Sequence, residues 1–99
     1  IMASLESAEY WRALFSHWPD EIERRGIVLT KQGEVVSFEN FLVSAGLLLL
    51  ERRAPDASGA RKAFVGYDSI ALVKMPTTAD IEDFLTMGFQ PPRPRTQNA

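Results

Sequence analysis

Hydrophobic residues in the middle of the chain fall into short runs that are separated by turn residues. Three apolar runs lie between residues 26 and 53, and Lys31-Gln32-Gly33 and Ser44-Ala45-Gly46 separate them. Two further runs follow a loop at residues 54–60, whose sequence is APDASGA. Short β-rich runs broken by glycine-containing turns at close spacing predict a meander of antiparallel strands.

The pattern predicts five strands, at residues 26–30, 35–43, 47–50, 62–67 and 70–75. The second is apolar on both faces, with Val36, Phe38 and Leu42 on one face and Val35, Phe41 and Val43 on the other. A strand of this kind usually bends from one layer to another or is covered twice, and a long bent second strand is how small barrels close. In the last two strands, Ala63, Val65 and Tyr67 alternate with Phe64, and Ile70 and Leu72 alternate with Ala71 and Val73.

A helix is predicted on each side of these strands. The N-terminal helix carries an apolar stripe at helical spacing, formed by Ala8, Trp11, Leu14, Phe15 and Trp18. Pro19 disfavours the helical conformation of the residue before it, so the helix is expected to end at Trp18. This stripe must pack on something, either the chain's own strands or a neighbouring subunit.

The short C-terminal helix is predicted to begin after Pro76, with Thr77 or Thr78 as its cap. Ile81, Phe84 and Leu85 form its apolar stripe. Gly88 is expected to end it in the left-handed conformation, with Phe89 folding back on Phe84. Residues 90–99, with the sequence QPPRPRTQNA, are expected to form a flexible tail.

Length and composition predict one domain, at residues 4–89, followed by that tail. The chain has 99 residues, 45% of them hydrophobic, a net charge of −2 and no cysteine. Arg93 and Arg95 lie in the tail without nearby acids, so the body is more acidic than the whole chain and is a poor non-specific ligand for phosphates.

No apolar run approaches the length that spans a bilayer, and residues 1–4 lack a secretory pattern, so the cytoplasm is the expected location.

The order of these elements resembles the Sm-like barrel of the Sm, LSm and Hfq proteins, over about residues 5–75. Residues 27–33 are similar to the family's first strand and its glycine turn, and residues 47–51 to its third strand, which ends in an acid. Residues 64–70, FVGYDSI, are similar to the second signature, in which a glycine precedes a short turn. The resemblance implies a mostly β protein, a small five-stranded Sm-like (SH3-like) barrel with an N-terminal and a short C-terminal helix.

The chain departs from that family at the positions that contact RNA. Val65 stands where one branch has arginine, Asp68-Ser69 stand where Hfq has Lys-His, and Ser44-Ala45-Gly46 replace an Asp-x-His/Asn element. The resemblance also implies that the fourth and fifth strands pair between subunits and form a ring, which would protect exposed strand edges. The candidate edge residues are Phe64, Val65, Ile70, Leu72 and Val73.

No set of residues with catalytic, cofactor-binding or metal-binding spacing is present, so neither a cofactor nor a metal is expected. His17 is a candidate general base, but no residue is placed to orient it, and a histidine near a helix end commonly just meets the helix dipole. The acidic pairs Glu34/Glu39 and Asp80/Asp83 are more simply explained as solvated charges. A nucleophile, base and orienting residue cannot be named, which argues against an enzyme.

Three basic pairs, Arg24-Arg25, Arg52-Arg53 and Arg61-Lys62, have two interpretations. They form a phosphate-binding rim if they converge on one face, or they are charges that keep strand ends soluble. Tyr67 also has two interpretations. It stacks on a base if it is exposed, but a tyrosine in a strand pair is more often half-buried.

The function predicted from these observations is a non-catalytic scaffold or adaptor that forms a homo-oligomeric ring through strand edges. The alternative is an RNA-binding Sm-like protein that contacts single-stranded RNA through Tyr67, Arg61, Lys62 and Asp68. No membrane partner is expected, and the sequence identifies no small-molecule substrate.

Overall fold

The computed structural model describes residues 2–91 of the chain. An N-terminal helix, α1 (Met2–Ser16), is followed by six strands: β1 (Gly26–Thr30), β2 (Val35–Phe38), β3 (Asn40–Val43), β4 (Leu47–Glu51), β5 (Lys62–Gly66) and β6 (Ile70–Lys74). One short 3-10 helix (Tyr67–Ser69) lies between β5 and β6, and a second (Ile81–Met87) follows β6. Most of the predicted tail lies outside the described residues.

The strands form two antiparallel sheets of three strands each. One sheet has the order β2-β1-β6 and the other β3-β4-β5. This confirms a mostly β protein with an N-terminal helix. Within residues 2–91 no strand pairing closes the two sheets into a barrel.

The second predicted strand is divided at Glu39, which gives six strands in place of the five predicted. β2 belongs to one sheet and β3 to the other. Phe38 and Phe41 are both buried although they are three positions apart, a spacing that places side chains on opposite faces of a regular strand. The predicted assignment of these two residues to opposite faces was therefore wrong, because the break at Glu39 changes the phase of the alternation.

A register shift changes the alternation of β6 in the same way. Leu72 pairs with Leu29, but the next pair of residues is Ile70 with Thr30, so Ala71 is an extra residue in β6. Such a bulge leaves one residue unpaired and bends the strand. Ile70 is consequently buried while Leu72 is exposed, and the prediction that they share one face was wrong.

Two glycines are required by the backbone of β1 and the turn that follows it. Gly33 has a φ of 92°, and its N–H donates to the Thr30 carbonyl at 2.9 Å. A side chain at that φ is strained. At the start of β1, a Cβ on Gly26 would lie 2.2 Å from the Lys74 carbonyl oxygen, so β1 and β6 meet there only because residue 26 has no side chain.

The helices differ from the prediction in their limits and type. α1 ends at Ser16, two residues before the predicted end, because Trp18 leaves the helix and enters the core, where its indole N–H donates to the Ile22 carbonyl at 3.1 Å. The C-terminal segment is a 3-10 helix that ends at Gly88, whose φ is 98°, as predicted for this glycine. No helix within residues 2–91 has both the length and the apolar character needed to cross a bilayer.

Four aromatic rings from one helix, the segment after it and two strands form the centre of the core. Phe15 and Trp18 come from α1 and the segment after it, Phe38 comes from β2, and Phe41 from β3. All six pairs of these rings have centroid separations between 5.0 and 6.2 Å. Stacked and edge-to-face pairs at such distances add stabilisation beyond the area that they bury. The cluster therefore joins the helix to both sheets.

We expect Phe15→Ala to lower the free energy of unfolding by about 3–5 kcal/mol, because it removes a fully buried ring and leaves a cavity between helix and sheets. Chemical denaturation at one protein concentration measures the change. Tyr10→Ala is the matched control on the same helix, since Tyr10 is 73% exposed, and it should change stability by no more than about 0.5 kcal/mol. Equal losses in both variants would contradict this account of the core.

Candidate functional site

The strongest candidate surface is formed by the two outermost strands, β5 and β6. Only Glu39 separates β2 from β3, so the two sheets meet at this segment, and β5 and β6 are the strands at the two far ends. β5 pairs with β4 on one side, and β6 pairs with β1 on one side. Within the described part of the chain, the second side of each strand has no strand partner.

Apolar side chains continue to both of these edges on the outer faces of the sheets. Leu42, Leu49 and Phe64 are direct cross-strand neighbours in β3, β4 and β5. Val35, Leu29 and Leu72 form the corresponding row in β2, β1 and β6. Phe64 is 71% exposed and Leu72 is 41% exposed, so each row ends in an uncovered apolar side chain beside an unpaired edge.

The five candidate edge residues separate into two groups. Phe64 and Leu72 project outward, whereas Val65 and Ile70 are buried in the core and Val73 is half-buried beside it. Only the backbones of Val65, Ile70 and Val73 are therefore placed to take part in an edge contact. The side chains of Phe64 and Leu72 supply the apolar area.

Tyr67 is a core residue with 2% of its surface exposed. Its hydroxyl donates to the Ser44 carbonyl at 2.9 Å and accepts from the Ser44 N–H at 3.3 Å. These bonds tie the turn between β3 and β4 to the 3-10 helix between β5 and β6. In this conformation the ring is too buried to stack on a base, so Tyr67 is a core residue of the strand pair.

The other three candidate RNA contacts lie on the surface. Arg61 donates to the Arg53 carbonyl at 3.2 Å, and the Lys62 ammonium lies 3.4 Å from a carboxylate oxygen of Glu51. Asp68 is an exposed acid in the 3-10 helix beside Tyr67. The cationic groups are thus at the start of β5 and the acid is at its far end, which separates the candidate residues along the strand.

Most of the basic pairs are engaged in local contacts. Arg24 places its guanidinium 3.8 Å from the centre of the Phe41 ring and donates to the Phe41 carbonyl. Arg25 pairs with Glu23 at 2.9 Å, and Arg53 pairs with Glu39 at 3.1 Å. These residues therefore act as charges at strand ends and do not form a phosphate-binding rim.

Arg25 and Arg52 both line one cleft, and Lys74 lines it with them. The sequence did not point to Lys74, because it is a single lysine at a strand end.

The loop between β4 and β5 is ordered by one carboxylate. Asp56 Oδ1 accepts from the Ser58 hydroxyl at 2.7 Å and from the N–H groups of Ser58 and Ala60, each at 2.9 Å. The bond from the Ser58 hydroxyl, followed by that from the Ala60 N–H, lowers the pKa of Asp56 below its usual value. Gly59 completes the turn with a φ of 88°.

His17 and the acidic pairs show no catalytic arrangement among the described residues. The His17 ring contacts the Ala13 carbonyl through Nδ1 at 2.9 Å, which is a contact with its own helix end. Glu39 is paired with Arg53. Within residues 6–91, no three histidine or acidic side chains come together in a group suited to a metal ion.

Comparison with known proteins adds no assignment, since no family model, curated protein or solved structure matches this chain. The Sm-like resemblance therefore remains an expectation based on the sequence.

We expect Tyr67→Phe to lower the free energy of unfolding by about 1 kcal/mol, because it deletes both hydrogen bonds to Ser44 while the ring stays buried. Tyr10→Phe, at an exposed position, should leave stability unchanged and serves as the control. Thermal unfolding of both variants makes the comparison. An unchanged stability of Tyr67→Phe would mean that the hydroxyl does not hold the two turns together.

Asp56 should give the β4–β5 loop a local dependence on pH. The pKa of Asp56 is lower in the folded chain than in the unfolded chain, where it is about 3.8. Its stabilising contribution is therefore present above the unfolded value and is lost as the pH falls through the lower folded value. An acid titration followed by the amide NMR signals of Ser58 and Ala60 should show this transition, and Asp56→Asn should remove it. The same transition in that variant would contradict the assignment to Asp56.

Proposed function

We propose that the protein is a non-catalytic assembly module that forms a homo-oligomeric ring by pairing β5 of one subunit with β6 of the next. In that role it acts as a scaffold or adaptor. The observation that carries the proposal is the exposed Phe64 on an edge strand that has a free side. Exposed edges with apolar side chains are otherwise sites of aggregation, and pairing between subunits covers them.

The ring follows from the difference between the two edges. β5 and β6 are different strands, so a contact between them is heterologous, and each subunit keeps one free edge of each kind after pairing. Heterologous contacts close into a ring when the rotation between subunits permits, and they otherwise give an open filament. A closed ring leaves no free edge on β5 or β6, whereas an open filament leaves one of each at its ends.

The two apolar rows support this pairing. One row ends at Phe64 and the other at Leu72, and both lie on the outer faces of their sheets. When β5 and β6 of neighbouring subunits pair, the two rows become parts of one larger sheet. Cross-strand apolar pairs of this kind stabilise sheets by about 0.2–1 kcal/mol each.

The proposal includes the finer fold that the sequence suggests, a small Sm-like barrel. Its support is the segment from Val35 to Val43, which passes from one sheet to the other at Glu39, together with the order of the strands. β2 and β3 would be the two halves of one bent strand in that description. β5 and β6 would be the two ends of the sheet in each subunit, and each would pair with a neighbouring subunit, since they do not pair with each other.

The alternative function, binding of single-stranded RNA, has less support. Tyr67 is buried, Lys62 is close to Glu51, and Asp68 would repel phosphates. RNA binding that falls steeply with salt, and that weakens in Arg61→Ala and Lys62→Ala, would favour the alternative over a scaffold.

Light scattering or native mass spectrometry at several concentrations tests the assembly. We expect one closed oligomer of constant mass, and we expect Phe64→Asp to yield smaller species because it places a charge beside the edge. Tyr10→Asp is the matched control, since Tyr10 is 73% exposed and lies on α1, outside both apolar rows. A monomer at all concentrations would overturn the proposal.

Cross-linking distinguishes head-to-tail pairing from a two-fold contact. The chain has no cysteine, so Phe64→Cys and Leu72→Cys each introduce a single thiol. With a short bifunctional maleimide, the mixed variants should give more cross-linked dimer than either variant alone. Dimers formed equally well by one variant alone would point to a two-fold contact and against a ring.

A further inference from the structure

An open cleft of about 400 Å³ lies at the end of the β2-β1-β6 sheet, where β1 begins and β6 ends. The cationic side chains of Arg25, Arg52 and Lys74 line it, together with one carboxylate, that of Glu39. Ser37 and Lys74 both pair with Ile27, from opposite sides, so the three residues form one row across the sheet.

Arg52 is held in a fixed position at this cleft. Its Nε donates to the Ala54 carbonyl at 2.9 Å, and its Nη1 donates to the Ser37 hydroxyl at 2.6 Å. Both acceptors are neutral, and no carboxylate of the described residues lies within ion-pair distance. The Asp56 carboxylate, whose pKa is lowered chiefly by the Ser58 hydroxyl and only in the last place by the charge of Arg52, is occupied by Ser58 and Ala60. A half-buried guanidinium with this support keeps free N–H donors and loses little entropy when it binds an anion.

The remaining charges leave the cleft positive. Lys74 has no ion-pair partner within residues 6–91. Arg25 is paired with Glu23 and Glu39 is paired with Arg53, so these four residues balance one another. Arg52 and Lys74 are the two uncompensated cations. A phosphate monoester carries a charge of about −1.5 to −2 at neutral pH, which matches them.

Apart from Ser37, the rest of the lining carries no polar side chain. Ile27, Met75, Pro76 and Ala54 add carbon surface to the cleft. Ligand sites commonly combine an apolar lining with a few polar groups that fix orientation. This arrangement suits a ligand with a phosphate at one end and an apolar body at the other.

We propose that this cleft binds a phosphate monoester of a small apolar molecule, with Arg52 and Lys74 holding the phosphate and Ile27, Met75 and Pro76 contacting the body. The lining residues come from one chain, and Lys74 is the last residue of β6, the strand that pairs with the next subunit in the proposed ring. Guanidinium–phosphate contacts give directional hydrogen bonds, and the ammonium adds a point charge.

Phenyl phosphate is the probe, and isothermal titration calorimetry of the full chain at constant ionic strength is the measurement. We expect saturable binding to one site per chain. Inorganic phosphate should bind more weakly because it lacks the apolar body, and phenol should give no saturable heat because it lacks the charge. Absence of saturable heat with phenyl phosphate would overturn the proposal. Equal affinity for inorganic phosphate would show that the cleft does not contact the apolar body of the ligand.

Two variants locate the binding site. Lys74→Gln and Arg52→Gln should each weaken phenyl phosphate binding by about tenfold or more, because each removes a charged contact to the phosphate. Lys31→Gln is the matched control, since Lys31 follows β1 at the opposite end of the same sheet. Lys74 makes no described side-chain hydrogen bond or ion pair, so its variant should remain folded as judged by thermal unfolding. Equal weakening by Lys31→Gln and Lys74→Gln would mean that the protein attracts phosphate only through its general charge.

Discussion

The contact of Phe15 and Trp18 with Phe38 and Phe41 is the interaction on which the rest of the structure depends. Phe38 and Phe41 lie on either side of Glu39, in different sheets, and the two other rings come from the N-terminal helix and its end. One cluster therefore fixes the angle between the sheets and the position of the helix together. The contact requires the break at Glu39, since a regular strand would direct one of these two phenylalanines away from the core.

Two irregularities in the strands shift the alternation of side chains between the inner and outer faces, and they determine which apolar side chains remain on the surface. The break at Glu39 turns Phe38 and Phe41 inward, and the bulge at Ala71 turns Ile70 inward and leaves Leu72 outside. The apolar rows on the outer faces are the result, and they end at the unpaired edges of β5 and β6. The surface proposed for assembly is thus a consequence of how the core is packed.

Most basic residues discussed above make local contacts, but Arg52 and Lys74 in the cleft have no carboxylate partner among the described residues. Arg24 stacks on Phe41, while Arg25, Arg53 and Lys62 each lie beside a glutamate. Surface pairs of this kind contribute little to stability, and they reduce the charge available to a ligand. Arg52 differs because neutral acceptors hold it, so its charge remains available beside Lys74 at the end of the sheet.

Local patterns along the chain were enough to predict the kind and approximate position of most elements, although not the number of strands. Hydrophobic spacing and turn residues predicted the helix, the strands near residues 26–30, 47–51 and 62–66, and the glycine turns at Gly33 and Gly88. These features depend on neighbouring residues only. The tertiary structure decided the inward direction of Phe41 and Ile70, the burial of Tyr67 and the placement of Arg52 and Lys74 in one cleft. The first two follow from one-residue shifts in the strands and the others from contacts between distant residues, which a pattern along the chain does not record.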